Sequence, residues 1–169
     1  MRTTVTIVLG TLLAMPAYAG QLEVSVEIPR INAAEYHRPY VAVWIEGADQ
    51  KAAANLSVWY QQTDGKEGHG TKWLPDLRQW WRKSGRTLKV PVDGVTGPTR
   101  PVGKHALRLD ATHPELGKLK PGNYTLVVEA AREVGGRELL KIPFAWGQAA
   151  SGKAQGTTEL GAVTLVAKP

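Results

Sequence analysis

The stretch L-E-V-S-V-E-I at Leu22–Ile28 decides the fold class, because apolar and polar residues alternate strictly along it. A period of two predicts a β-strand with one buried face. A second stretch, P-Y-V-A-V-W-I-E at Pro39–Glu46, is apolar on both faces and predicts a central strand. A third, N-L-S-V-W-Y-Q at Asn55–Gln61, carries apolar residues at alternate positions. These three stretches therefore predict a series of short strands.

Turn residues separate further strands along the rest of the chain. These are expected at Thr87–Val92, His105–Asp110, Tyr124–Ala130, Glu138–Trp146 and Glu159–Ala167. Gly135-Gly136 is expected at a hairpin tip, and Ser151–Gly156 is expected to be a polar, flexible loop. Many short strands at regular spacing predict an all-β fold, an antiparallel immunoglobulin-like β-sandwich. A closed β-barrel is the alternative.

One short helix is predicted at Lys72–Arg82, where the sequence reads K-W-L-P-D-L-R-Q-W-W-R. Leu74, Leu77 and Trp81 are spaced i, i+3, i+7, which predicts a buried stripe. Pro75 suits a first helical turn, and the following Ser-Gly pair ends the helix. Trp44 and Trp146 are expected in the core.

The N-terminus has the features of a secretory signal peptide. Met1–Arg2 is a positive start, Val5–Ala14 is mostly apolar, and P-A-Y-A ends in a small-x-small pattern at Ala19. The apolar stretch is too short to span a bilayer. We therefore expect cleavage after Ala19, one domain over 20–169, and a periplasmic protein that is not membrane-embedded.

Composition excludes several classes of function. The chain has no cysteine, which rules out thiolate nucleophiles, iron–sulfur clusters and attached c-type haem. Its 21 Lys and Arg are interspersed with 15 Asp and Glu, and no aromatic-interleaved basic stripe suggests nucleic-acid binding. The four His lack metal-ligand spacing, and no P-loop or G-x-S-x-G elbow is present. No catalytic residue and no metal site are expected, so the protein is not expected to be an enzyme.

The most unusual segment is D-G-V-T-G-P-T-R at Asp93–Arg100. Its Gly and Pro content predicts an exposed loop, which is either an ordinary connection in a sandwich or a place where reactive groups are displayed. An acid, two hydroxyls and a guanidinium lie within eight residues. Arg100 and Arg38 could pair with a phosphate.

This segment resembles a flavinylation motif. Asp93-x-x-Thr96-Gly97-x-Thr99 is similar to D-x-x-[S/T]-G-A-T, on which a periplasmic flavin transferase places FMN. The resemblance implies that Thr99 carries covalent FMN through its phosphate and that Asp93, Thr96 and Gly97 are recognition residues. One position departs from the motif: Pro98 replaces alanine, which fixes φ and removes an amide donor.

Most of the remaining chain resembles a family of predicted periplasmic proteins. The resemblance rests on the sequences at Arg38–Glu46, Lys72–Trp80, Asp93–Gly103, Gly122–Gly136 and Glu159–Val163. It implies association with PepSY-type membrane reductases, flavin transferases and iron-acquisition loci.

Two hypotheses of function follow from these patterns. In the first, the protein carries FMN and relays electrons with a membrane reductase in iron assimilation, and Trp73, Trp80 and Trp81 offer stacking surface for the flavin. In the second, it is an unmodified periplasmic binding or scaffold domain that meets a partner through a sheet edge or the Trp73–Trp81 segment.

Overall fold

The computed structural model describes residues 20–65 and 68–169, so the predicted signal peptide lies outside the described residues. The described chain forms nine strands and four short helical segments. The strands are β1 Gln21–Ile28, β2 Tyr40–Glu46, β3 Ala52–Trp59, β4 Thr96–Gly97, β5 Gly103–Asp110, β6 Gly122–Ala131, β7 Arg137–Trp146, β8 Ala150–Gln155 and β9 Ala162–Lys168. The helical segments are α1 Arg78–Lys83 and three 3-10 helices, at Gly70–Asp76, Gly85–Thr87 and Leu116–Lys118.

The strands form two sheets, with the orders β5-β1-β9-β8 and β4-β3-β2-β6-β7. Every pairing is antiparallel except that of β3 with β4, which is parallel. The predicted all-β sandwich is confirmed: the strands form two open sheets, not a closed barrel. The predicted hairpin tip is confirmed too, since the Arg132 amide donates to the Gly136 carbonyl at 3.1 Å between β6 and β7.

The main core lies between the two sheets. The alternating apolar residues of β1 are at most 1% exposed. They pack in one cluster with Val41, Val43 and Ile45 of β2 and with Trp146 at the end of β7. The period of two in the sequence therefore corresponds to the inner face of the first sheet.

A second core explains why β2 is apolar on both faces. The chain between β3 and β4 crosses the outer face of the five-stranded sheet. Trp44 of β2 packs there with Leu74, Leu77 and Trp80, all of them 0–2% exposed. We call residues 70–92 of this connection the helical cover. The central sheet is thus buried on both sides, by the other sheet and by the helical cover.

The helix prediction was wrong in its continuity and in one buried residue. A 3-10 helix ends at Asp76, Leu77 has a non-helical ψ of 69°, and α1 follows. Trp80, not Trp81, is the buried aromatic. The new helix is bound just after this break by a side chain of β6: the Glu129 carboxylate accepts the backbone amides of Gln79 and Trp80 at 3.1 and 2.8 Å. This satisfies donors that the first turn of a helix leaves free.

Two further predictions were wrong. Thr87–Val92 is not a strand, because its apolar side chains pack against the second core while its backbone pairs with no sheet. Ser151–Gly156 is not a flexible loop, since Ser151–Gln155 belong to β8, which pairs with β9 along its whole length. A polar composition was compatible with a strand there because the outer face of an edge strand is solvated.

Candidate functional site

The centre of the D-x-x-T-G-x-T segment is held in the sheet. Thr96 and Gly97 form β4, which lies parallel to β3. The amides of Val58 and Tyr60 donate to the Val95 and Gly97 carbonyls at 2.8 and 3.0 Å. The segment is therefore an edge strand with a turn before it, and only its flanks are loops.

Thr96 closes that turn. Its hydroxyl donates to the Val92 carbonyl and accepts from the Val92 amide, both at 3.0 Å. Gly94 within the turn has φ of +73°, a conformation that glycine adopts without strain. Asp93 is exposed and makes no hydrogen bond or ion pair with the described part of the chain. Thr96 thus has a structural task, while the Asp93 carboxylate is free to meet another molecule.

Thr99 lines a pocket of about 260 Å³. The pocket lies where the chain before β2, the first 3-10 helix, the end of β6 and the motif meet. The other lining residues are Tyr36, His37, Arg38, Tyr40, Gln61, Trp73, Asp76, Ala131 and Glu133. The last threonine of the motif therefore shares a concave site with two tyrosines, a tryptophan and an arginine.

The aromatic wall of this pocket is held by contacts on several sides. The Tyr40 hydroxyl donates to the Gly70 carbonyl at 2.9 Å, and burial raises the pKa of Tyr40 above its usual value. The Tyr40 ring also packs edge-on against Tyr60, with centroids 6.4 Å apart. The Lys72 ammonium lies 4.6 Å from the Trp73 ring centroid. Tyr40 is thus restrained by a hydrogen bond and a ring contact, and Trp73 carries a cation on its face.

The charged side chains of the pocket differ in how they are paired. His37 lies 3.3 Å from the Glu35 carboxylate and 3.5 Å from that of Glu133. Arg38 is exposed and forms no ion pair within residues 20–65 and 68–169. Its guanidinium is the unpaired cation beside Thr99, and it suits a phosphate.

Arg100 lies outside this pocket. Its guanidinium carbon is 5.5 Å from the centroid of the Trp59 ring, and that ring packs edge-on against His105 at 5.7 Å. The Arg100 Nε is buried and has no hydrogen-bond partner among the described residues. Arg100 therefore forms a cation–π contact with a residue of β3, the strand that pairs with β4.

The structure divides the residues that the sequence singled out. Thr99, Arg38 and Trp73 come together in one pocket, whereas Asp93, Thr96, Gly97 and Arg100 do not line it. Trp80 is buried in the second core, and Trp81 lies in a separate depression with Arg82 and Arg86.

Sequence reasoning did not identify the remaining pocket residues. Tyr36 precedes β2, Tyr40 is its first residue, and Glu133 follows β6. The only signal was the run Y-H-R-P-Y immediately before a buried strand, a position from which side chains reach the end of a sheet.

The described residues contain neither a metal-binding cluster nor a candidate membrane span. No group of three or more His, Asp or Glu among them could hold a metal ion. No helix within the same residues is long and apolar enough to cross a bilayer.

A family model described as "Predicted periplasmic protein (DUF2271)" matches residues 21–162. The chain belongs to this family. The match begins at the first residue of β1 and ends at the first residue of β9, so it covers β1 to β8, the helical cover and the Thr99 pocket. Neither the curated proteins nor the solved structures contain a significant match to this chain.

Proposed function

We propose that this member of a predicted periplasmic family carries FMN as a phosphoester on Thr99 and relays electrons in the periplasm. A flavin transferase would attach the cofactor, and a PepSY-type membrane reductase would supply electrons for iron assimilation. The protein itself has no catalytic residue in this proposal. The observation that carries it is the position of Thr99, which lines a pocket together with Tyr36, Trp73 and Arg38.

The pocket fits part of this cofactor. Flat aromatic rings stack on Tyr and Trp side chains, and the unpaired Arg38 guanidinium suits a phosphate. Pockets that enclose a whole drug-sized ligand measure about 300–1,000 Å³, and this one is smaller, at about 260 Å³. Part of a flavin attached to Thr99 would remain at the surface, where a redox partner can approach it.

Attachment requires a balanced exchange of ester bonds. A bond forms between Thr99 Oγ1 and the FMN phosphorus, and a phosphoanhydride bond in a flavin dinucleotide donor breaks. The nucleoside monophosphate leaves, and the hydroxyl proton passes to solvent. When bound, the flavin would supply the redox chemistry. The chain would present the Thr99 hydroxyl just after β4, Trp73 and Tyr36 would offer stacking surface to the ring, and Arg38 would offset the phosphate charge.

The test is co-expression of the full chain with a flavin transferase, followed by intact-mass measurement of the purified periplasmic protein. We expect the mass of one FMN adduct and a flavin absorption band. Thr99→Ala should abolish both, because an ester needs the hydroxyl. Thr71→Ala is the matched control, since Thr71 is an exposed threonine that does not line the pocket, and it should keep both. An unmodified wild-type chain would refute the proposal.

One residue favours the alternative of an unmodified binding or scaffold domain. Pro98 occupies the position that is alanine in the flavinylation motif, and it has no amide to offer a transferase. Within this fold the loss is harmless, because β4 ends at Gly97 and the pairing with β3 ends there too.

Pro98→Ala separates the two functions. If the proline only slows the transferase, restoring the amide should raise the modified fraction. The alternative predicts that neither wild type nor Pro98→Ala acquires FMN and that Thr99→Ala keeps full function in the cell. That result would assign the protein as an unmodified binding or scaffold domain.

A further inference from the structure

The net charge of this protein is concentrated in the helical cover. The whole chain carries a formal charge of +6. Residues 70–92 hold six basic residues and one acidic residue, which amounts to +5. They are Lys72, Asp76, Arg78, Arg82, Lys83, Arg86 and Lys89. The rest of the chain is nearly neutral. The positive charge is therefore concentrated in the cover and is not spread evenly along the chain.

The arginines of this cover form a row. Arg78 and Arg82 are four residues apart on α1, so they project from the same face. The Arg86 guanidinium donates to the Arg82 carbonyl at 3.3 Å, which continues the row beyond the end of the helix. We call Arg78, Arg82 and Arg86 the arginine row. All three are exposed.

The acidic groups beneath the cover neutralise other cations, not this row. Glu46 is paired with Lys83 at 2.8 Å and with Lys141 at 3.3 Å. Glu129 is fully buried and is paired with Arg137 at 2.7 Å. The arginine row forms no ion pair within the described part of the chain, so its positive charge faces solvent.

The row begins next to the Thr99 pocket. Arg78 lines a shallow depression together with Asp76 and Ala131. Asp76 and Ala131 also line the Thr99 pocket. A partner seated on the arginine row would therefore lie against the wall of that pocket.

We infer that the arginine row is a docking surface for the acidic face of a partner protein. The cover offers no continuous apolar face to a bilayer, because Leu74, Leu77 and Trp80 are buried against the sheet and Trp73 and Trp81 are half-buried. Interfacial membrane helices need such a face exposed. What the row offers is planar guanidinium groups, which bind carboxylates in bidentate fashion. Charge complementarity of this kind steers encounter and selects the partner.

Docking itself depends only on the charge distribution. Its use in electron transfer rests on the proposed flavin on Thr99. The experiment therefore measures binding directly on the unmodified chain, so that failure of docking and failure of flavinylation are told apart.

The experiment uses a fluorescent poly-glutamate peptide as the probe, with anisotropy measured at low and high ionic strength. Arg78→Gln/Arg82→Gln/Arg86→Gln removes three charges from the row. The control, Lys104→Gln/Lys120→Gln/Lys153→Gln, removes three charges from exposed lysines elsewhere that form no ion pair with any described residue. We expect the row variant to weaken binding about tenfold or more and the control by less than about threefold. Added salt should abolish the difference.

Three results would overturn the inference. Equal weakening by both variants would mean that net charge alone governs binding. No peptide binding by the wild type would remove the docking surface. Tighter binding to phosphatidylglycerol vesicles than to the peptide, lost in the row variant, would assign the row to a membrane surface. Circular dichroism of both variants checks that they are folded.

Discussion

Glu138, at the start of β7, is the residue whose ionisation is most tightly tied to the fold. Its carboxylate accepts the amides of Thr157, Thr158, Glu159 and Leu160 at 2.7, 3.1, 2.9 and 2.8 Å. Burial alone would raise the pKa of Glu138, but these hydrogen bonds outweigh it and lower the pKa to about 2. One side chain therefore fixes the connection between β8 and β9.

This pKa predicts how stability depends on pH. A carboxyl group whose pKa is lower in the folded state stabilises the protein above its ordinary pKa of 4.5 and stops doing so as pH falls towards about 2. Glu138→Gln should lower the free energy of unfolding by about 1–3 kcal/mol at neutral pH. Urea unfolding across this range should show a smaller acid loss in Glu138→Gln than in wild type. Glu23→Gln, an exposed control, should retain the wild-type profile; identical profiles for all three proteins would contradict the assignment.

At the scale of the element, α1 is stable only because of what it packs against. Six residues are too few for a helix to persist alone in water. Leu77 and Trp80 are buried against the sheet. The Trp80 indole also donates to the Asn55 side chain at 2.9 Å. Tertiary contacts, not helix propensity, hold this cover and its arginine row in place.

The buried face of the cover predicts a contrast between two neighbouring positions. Leu77→Ala should cost about 2–5 kcal/mol of unfolding free energy, because it removes burial and leaves a cavity. Gln79→Ala should cost under about 0.5 kcal/mol. The Gln79 group that donates to Glu129 is the backbone amide, which alanine keeps. Chemical denaturation measures both. Similar costs would mean that the cover is packed differently.

Close packing of β8 predicts a second contrast. A Cβ added at Gly152 would overlap the Ile142 Cγ2 of β7, so Gly152→Ala forces the Ile142 side chain or one of the two strands to shift. We expect it to cost about 1–3 kcal/mol in thermal or chemical unfolding. Ser151→Ala, at the adjacent exposed position, should be nearly neutral. If Gly152→Ala is neutral as well, β8 does not pack against β7 as described.

At the scale of the whole molecule, three layers are stacked: the four-stranded sheet, the five-stranded sheet in the middle and the helical cover. β2 lies at the middle of these layers, with Val43 in the main core and Trp44 in the second. The Thr99 pocket forms at one end of the stack, where the cover meets the chain before β2 and the end of β6. The site therefore depends on the cover as much as on the motif.

The start of the fold predicts the mature N-terminus. β1 begins at Gln21, two residues after Ala19, where the sequence predicts cleavage. N-terminal sequencing of the protein from a periplasmic fraction should begin at Gly20. Recovery of a soluble chain that still begins at Met1 would contradict export through a cleaved signal peptide.

The sequence by itself determined the features that depend on local periodicity. Strict alternation in β1 and the two apolar faces of β2 were enough to predict strands and a sandwich, because side chains alternate between the faces of a strand. The glycine pair after β6 was enough to predict a hairpin. The motif also predicted Thr99 as the attachment residue, and that prediction rests on the sequence alone.

Only the tertiary structure decided which residues surround Thr99. Tyr36, Trp73 and Glu133 are far apart in sequence and meet only when the cover folds over the outer face of the sheet. The sequence predicted Trp81 as the buried tryptophan, whereas Trp80 is buried. The reason is again tertiary, since the Glu129 carboxylate binds the first turn of a new helix that begins after Leu77. Periodicity assumes a continuous helix, whereas a buried carboxylate from another strand satisfies the first turn and fixes where α1 begins.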